Sequence, residues 1–279
     1  MDVCFEERYE LQGATVPVAE TKSSGADLVT EYDRQCEELV LKMLSEFSPD
    51  WKVVSEESHP DAPLTDEPTW IVDPIDGTTS FVHGSFDCGV SIGLAVNKVS
   101  VLGVVYLPRL KETFTAIAGQ GAYLHDGNQK RKIHVSNVTE LNKAIVCTHT
   151  PYNRAPQSIK SIMSINTELL ERGVHAVRAY GSAAMDICSV ACGRLDLYFE
   201  VGPHSWDMCA AAVILREAGG VIHDIDAVSD SLDMKSRGYA AGSCVQLTTI
   251  AVELNNKYDY RNTLLGAEKA AKEAKVAEQ

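Results

Sequence analysis

Asp73 and Asp76 stand three residues apart, directly after the apolar run Trp70-Ile71-Val72, and Gly77, Thr78 and Thr79 follow them. Carboxylate oxygens are the ligands that hard dications prefer. A glycine and two hydroxyl residues at a point where a helix can begin offer backbone N–H groups to an anion. The spacing points to a corner that holds a divalent cation and a phosphate together. Further acids lie beside expected element ends: Glu56-Glu57 after a short strand, and Asp207 at a helix start. Each has an ordinary reading as well. Glu56-Glu57 suits a solvated turn, Asp207 an N-cap, and Asp73 a turn opener ahead of Pro74. Their combination with Gly77-Thr78-Thr79 is what argues for chemistry.

The elements that must carry these residues can be read from periodicity. Glu31 to Phe47 has helical spacing, with Cys36, Leu39, Val40, Met43, Leu44 and Phe47 expected on the inward side. Ser48-Pro49-Asp50 ends it, and Trp51 to Val54 reads as a short strand. Pro60, Asp61 and Pro63 make Ser55 to Glu67 a loop. Cys88 to Ala118 reads as three antiparallel strands with turns at Asn97-Lys98 and Pro108-Arg109. After a strand at Lys143 to Thr148 the pattern alternates. Helices are expected at Ala155–Arg172, Ala183–Cys192 and Asp207–Ala218, with strands at Ala176–Arg178, Leu195–Glu200 and Val221-Ile222. Gly219-Gly220 suits a helix C-terminus. Beyond Ala267, alternating Lys, Glu and Ala predict a solvated, fraying helix.

The fold class that follows is α/β: a layered αβαβα sandwich with an antiparallel α+β N-terminal half and an α/β C-terminal half. Residues 1–145 would carry most of the acids and residues 146–279 would carry Asp207, the two forming one compact catalytic unit. A net charge of −14 in 279 residues argues against nucleic acid as a partner. No apolar run nears the roughly 20 residues of a membrane helix. The eight cysteines form no CxxC pair, and the first residues show no signal-peptide pattern, so reduced core cysteines and a cytoplasmic location are expected. Cys188 and Cys192 read as packing residues of one helix. His204, close to Asp207, can shape the site, while Trp70 and Trp206 read as packing anchors.

Glu56-Glu57-Ser58, the run Trp70 to Thr79, and Ser205-Trp206-Asp207 through Gly219-Gly220 resemble the signature blocks of the inositol monophosphatase family, in the family's order. Asp27 to Asp33 and Gly181-Ser182-Ala183-Ala184 resemble two more, so the similarity runs from about Lys22 to Leu254. The resemblance implies a Mg²⁺-dependent phosphomonoesterase that hydrolyses myo-inositol monophosphates with a metal-activated water, serving inositol recycling and phosphatidylinositol signalling. Glu56, Asp73, Asp76, Asp207 and the Ile75 carbonyl would hold two or three Mg²⁺. Asp33 and Thr78 would orient the attacking water, with Glu56 sharing in its activation. Asp76, Gly77, Thr78, Gly181, Ser182, Ala183 and Asp207 would bind the substrate, with Glu200 on a cyclitol hydroxyl and Lys22 near a further metal. A small phosphorylated polyol substrate, a homodimer and inhibition by Li⁺ are implied too. Ser55, Ser80 and Ser205 stand where the family usually has glycine, asparagine and often cysteine. Competing readings are a superfamily phosphatase for sugar or nucleotide bisphosphates or histidinol phosphate, and a fold-retaining interaction protein.

Overall fold

The structure, a computed structural model, describes residues 20–21 and 28–277. Lys22 lies outside the described residues. Two short strands, β1 (Glu20–Thr21) and β2 (Leu28–Val29), pair antiparallel and lead into α1 (Glu31–Phe47). Thr30 caps this helix, its hydroxyl accepting the Tyr32 N–H, and Asp33 at the third helical position closes the capping box. β3 (Lys52–Ser55) pairs parallel with β4 (Thr69–Asp76), and the six-residue helix α2 (Thr78–His83) follows. β5 (Gly89–Val96), β6 (Val99–Leu107), β7 (Glu112–Ile117), β8 (Ala122–His125) and β9 (Lys130–Lys132) then form an antiparallel meander. The β5–β6 hairpin turns on Asn97 and Lys98, both at positive φ (52° and 62°), the geometry a two-residue hairpin loop requires. The seven-stranded sheet runs β3-β4-β5-β6-β7-β8-β9.

Beyond this sheet the chain alternates: β10 (Ile145–Thr148), α3 (Pro156–Glu171), β11 (Ala176–Arg178), α4 (Ala183–Ala191), β12 (Leu197–Val201), α5 (Ser205–Glu217), β13 (Val221–Asp224), β14 (Gly238–Gly242), α6 (Val245–Tyr258) and α7 (Tyr260–Ala277). The second sheet has the order β11-β10-β12-β14-β13, parallel through β11, β10 and β12 and antiparallel beyond. Helices α4 and α5 lie between the two sheets. α3, α6 and α7 cover the outer face of the second sheet, and α1 packs on β4. The layers therefore read α-β-α-β-α as expected.

α5 is the shared centre of the molecule. Nearly all its residues from Trp206 to Leu215 are buried, as a helix enclosed on every side must be. One core cluster joins Val105 and Phe114 of the first sheet to Tyr198 and Tyr239 of the second around Ala210, Ala211 and Ile214. Its C-terminus is a Schellman cap: Gly220 N–H reaches Leu215 C=O at 2.9 Å and Gly219 sits at φ +88°.

Two expectations are corrected. On α1 the inward residues are Asp33, Cys36, Glu37 and Val40, whereas Leu39, Met43 and Phe47 are 40%, 59% and 77% exposed. Two buried carboxylates, Asp33 and Glu37, hold this face inward through hydrogen bonds to Thr30 and Glu57. β8, β9, β14 and α6 also went unanticipated in the sequence. The described cysteines are all free, and Cys188 packs in the core as expected.

Candidate active site

Side chains alternate between faces along a regular strand, so Asp73 and Asp76 on β4 would ordinarily point to opposite sides. Here the register against β5 shifts: Asp73 faces Ser91 and Asp76 faces Gly89, so three residue steps on β4 match two on β5. Pro74 explains the break, since it has no N–H for the ladder. Ile75 N–H turns back to Asp73 Oδ1 at 2.9 Å, and Ile75 C=O accepts the Thr78 hydroxyl at 3.2 Å. The bulge brings both carboxylates together with Asp207, and oxygens of all three lie within 4.8 Å of one another.

Gly77 makes the next turn at φ +89°. A Cβ there would lie 2.7 Å from the Asp87 carbonyl oxygen and 2.9 Å from that of Gly181, so only glycine fits. Thr78 opens α2 and donates its hydroxyl to Asp33 Oδ1 at 3.1 Å. The other carboxylate oxygen of Asp33 accepts Thr30 N–H at 2.7 Å and Thr30 Oγ1–H at 2.6 Å. Asp33 is thus fixed in orientation, with Oδ1 turned to Thr78.

Asp207 is the third residue of α5 rather than its N-cap, because the helix begins two residues earlier than its periodicity predicts. It accepts the His204 N–H at 2.6 Å, which fixes the carboxylate at the helix start. The His204 ring stacks on Trp206 at 4.4 Å, and Ser91 Oγ–H donates to the Trp206 carbonyl at 2.9 Å. Trp206 and Trp70 are buried anchors, as expected. Glu56 follows β3, its N–H bonded to the Val72 carbonyl at 3.2 Å, and its charge bears on Asp73 and Asp207 from just outside the closest trio. Buried Glu37 of α1 accepts the N–H groups of Glu57 and Ser58, each at 2.9 Å, and pins this loop. Ser55 is buried, and its hydroxyl bonds Ser58 and His59.

Burial raises the pKa of Asp73 well above the usual carboxylate range, with the charges of Glu56, Asp76 and Asp207 adding to it. Burial, then Asp207, does the same to Asp76, and burial likewise raises Asp207. Such a group resists full ionisation until a cation arrives. Its donors are all oxygen, which suits Mg²⁺ and not a thiophilic metal.

The expected substrate segment lies opposite. Ser182 caps α4, and its hydroxyl donates to Asp76 Oδ2 at 2.7 Å, as does Ala184 N–H at 2.7 Å. Gly181 N–H donates to Asp87 Oδ2 at 2.6 Å, and Ala183 is buried beside them. Ser80 Oγ–H reaches the same Asp87 oxygen at 2.8 Å. Glu200, buried on β12, accepts Tyr198 O–H at 2.7 Å and adds its charge to Asp76 and Asp207. Asp87, Glu37 and Tyr198 carry this support, and the sequence offered no signal for them, because their partners are distant in the chain.

A bulged strand end, a glycine corner and three converging carboxylates define the class: metal-assisted phosphatases with an oxygen-ligand centre. The chain belongs to the inositol monophosphatase family, whose model matches residues 5–259. It is 45% identical over 226 residues to inositol monophosphatase 2 of Solanum lycopersicum, covering 77% of this chain and 80% of that one. It is 39% identical over 225 residues to inositol monophosphatase 1 of Bos taurus, covering 80% and 79%. A solved inositol monophosphatase from Anabaena (Nostoc) superposes with a TM-score of 0.71 at 33% identity, covering 81% of this chain and 86% of that one.

Proposed function

We propose that this protein hydrolyses myo-inositol monophosphates to myo-inositol and phosphate. The observation that carries the reading is the convergence of Asp73, Asp76 and Asp207 beside a Thr78–Asp33 hydrogen bond of 3.1 Å. Glu56, Asp73, Asp76, Asp207 and the Ile75 carbonyl would hold two or three Mg²⁺. Bound there, the ions supply positive charge to the phosphoryl group and its leaving oxygen and acidify a bound water.

The chain's own residues do the rest. Thr78 gives its hydroxyl proton to Asp33 Oδ1 and so turns its oxygen lone pairs toward a water. As that water loses a proton to Thr78, Asp33 takes the one Thr78 releases. The other oxygen of Asp33 is already engaged by Thr30, so Oδ1 is the atom available for this relay. Glu56 orients the same water. Gly77 makes the tight turn at φ +89° that brings the backbone N–H groups of Gly77 and Thr78 to a phosphate oxygen, and Glu200 orients a cyclitol hydroxyl. Gly181, Ser182 and Ala183 serve the substrate mainly by fixing Asp76 and the Gly77 turn.

Residues 1–145 and 146–279 act as one catalytic unit, since the acids come from both. We further propose a homodimer, Li⁺ inhibition through one Mg²⁺ position, and a cytoplasmic location with neither nucleic acid nor membrane as partner. No described helix is long and apolar enough to cross a membrane. Phosphate release across a panel of inositol, sugar and nucleotide phosphates, with and without Mg²⁺, is the deciding measurement. Inositol 1-phosphate should be hydrolysed only with the metal, and its failure as a substrate would reject the reading.

A further inference from the structure

A second group of metal-ligating side chains lies outside the carboxylate trio. Cys147 on β10 and His149 just beyond it are two residues apart, so both face the same side of the sheet. Asp186 of α4 meets them there. One donor atom from each of the three lies within 4.8 Å of the others, and all three residues are buried. Asp186 Oδ2 accepts the Cys147 thiol at 3.3 Å and lies 2.8 Å from His149 Nε2. Asp186 Oδ1 is buried without a hydrogen-bond partner. The opposite ring nitrogen, His149 Nδ1, lies 3.3 Å from Glu200 Oε2.

Two simpler roles fit poorly. A nucleophilic cysteine needs its sulfur open to a substrate, whereas Cys147 is wholly buried. A purely structural network leaves one carboxylate oxygen of Asp186 buried and unsatisfied, which is unfavourable. A thiol, an imidazole and a carboxylate at this spacing are instead the donors of a tetrahedral transition-metal site. The contact from His149 Nδ1 to Glu200 supplies the carboxylate partner that orients a metal-bound histidine.

We propose that Cys147, His149 and Asp186 form a second metal site, selective for a borderline-soft dication of the Zn²⁺ type and distinct from the Mg²⁺ centre. Binding is balanced by two protons. The Cys147 S–H proton and the proton on His149 Nε2 leave as S–metal and N–metal bonds form, while the Nδ1 proton stays on the imidazole and faces Glu200.

The test loads the full chain, with saturating Mg²⁺ present, with Co²⁺ as a coloured stand-in for Zn²⁺. One equivalent should give thiolate-to-cobalt charge-transfer absorption and tetrahedral ligand-field bands. Cys147→Ser should abolish the charge-transfer band, while Asp73→Asn and Cys192→Ser should retain it. Glu200→Gln should weaken Co²⁺ binding by about 10- to 100-fold. A wild-type protein without the band, or a band that survives Cys147→Ser, overturns the proposal. If Cys147→Ser does not fold, X-ray absorption on the Zn²⁺-loaded wild type decides instead. One sulfur among nitrogen and oxygen ligands supports the site, and a shell without sulfur rejects it.

Discussion

Ser182 and Asp76 are 106 residues apart in the chain and 2.7 Å apart in space. The hydroxyl that caps α4 also holds a proposed metal-binding carboxylate of β4, so the second half of the chain fixes the geometry of the first. A hydrogen bond to a charged group contributes about 1.5–3 kcal/mol. Ser182→Ala should therefore raise the Mg²⁺ concentration for half-maximal phosphate release by about tenfold or more. An activation curve that does not move would show that Ala184 N–H alone suffices.

Thr78 and Asp33, joined by a 3.1 Å hydrogen bond, are proposed to act on the water as a pair. Thr78→Ala and Asp33→Asn should each lower kcat by about 10²–10⁴-fold, the usual scale for a proton-transfer group, and leave KM within a few-fold. The double variant should lose little more than either single one, and Thr78→Ser should keep most of the rate. Additive losses in kcat would break the relay into two independent functions.

Glu37 touches no proposed metal, yet it holds the loop after Glu56 through two backbone N–H groups. Glu37→Ala strands those donors, destabilising the fold by about 1–3 kcal/mol. It should also shift Mg²⁺ activation to higher concentration while kcat at saturating Mg²⁺ recovers. Thermal melts and Mg²⁺ titrations on the same preparation separate the two effects.

The carboxylate trio makes metal-free stability depend on pH. Asp73, Asp76 and Asp207 all have raised folded-state pKa values, so between the ordinary carboxylate range and those values the folded state binds more protons than the unfolded one. Stability from these groups therefore falls as pH rises. His149 acts in the same direction. Burial alone would lower its pKa, but Glu200 and Asp186 carry it to about 9, so its contribution is lost as pH climbs from about 6.5 through 9. In chelator the melting temperature should be higher at about pH 5.5 than at about pH 8, and Asp73→Asn should flatten that slope. Mg²⁺ should stabilise most at the higher pH.

Local signals made much of this architecture legible. α1 could be bounded because its helical spacing runs from Glu31 to Phe47 and Ser48-Pro49-Asp50 closes it, and the β5–β6 hairpin because Asn97-Lys98 is a turn pair. β14 could not, since Gly-Tyr-Ala-Ala-Gly is poor in strand formers and is held by strands on both sides. The run from Asp73 to Thr79 points to cation and phosphate chemistry, Glu56 and Asp207 stand out as acids at element ends, and only the similarity of the ordered blocks singles out Asp33. Asp87 and Glu37 stayed hidden because a lone acid in a sequence carries no mark of which distant N–H it will accept. Periodicity misjudged the inward face of α1 for the same reason: it weighs apolar residues and cannot foresee a buried carboxylate network.

Asp207 rides on α5, the helix around which both sheets pack. Whatever binds the folded trio and not the unfolded chain stabilises the entire polypeptide. Divalent ions held at the proposed centre would thus set how long a molecule survives as well as how fast it works. In a metal-depleted cell the protein would be proteolysed sooner, and its abundance would follow the ion that its chemistry requires.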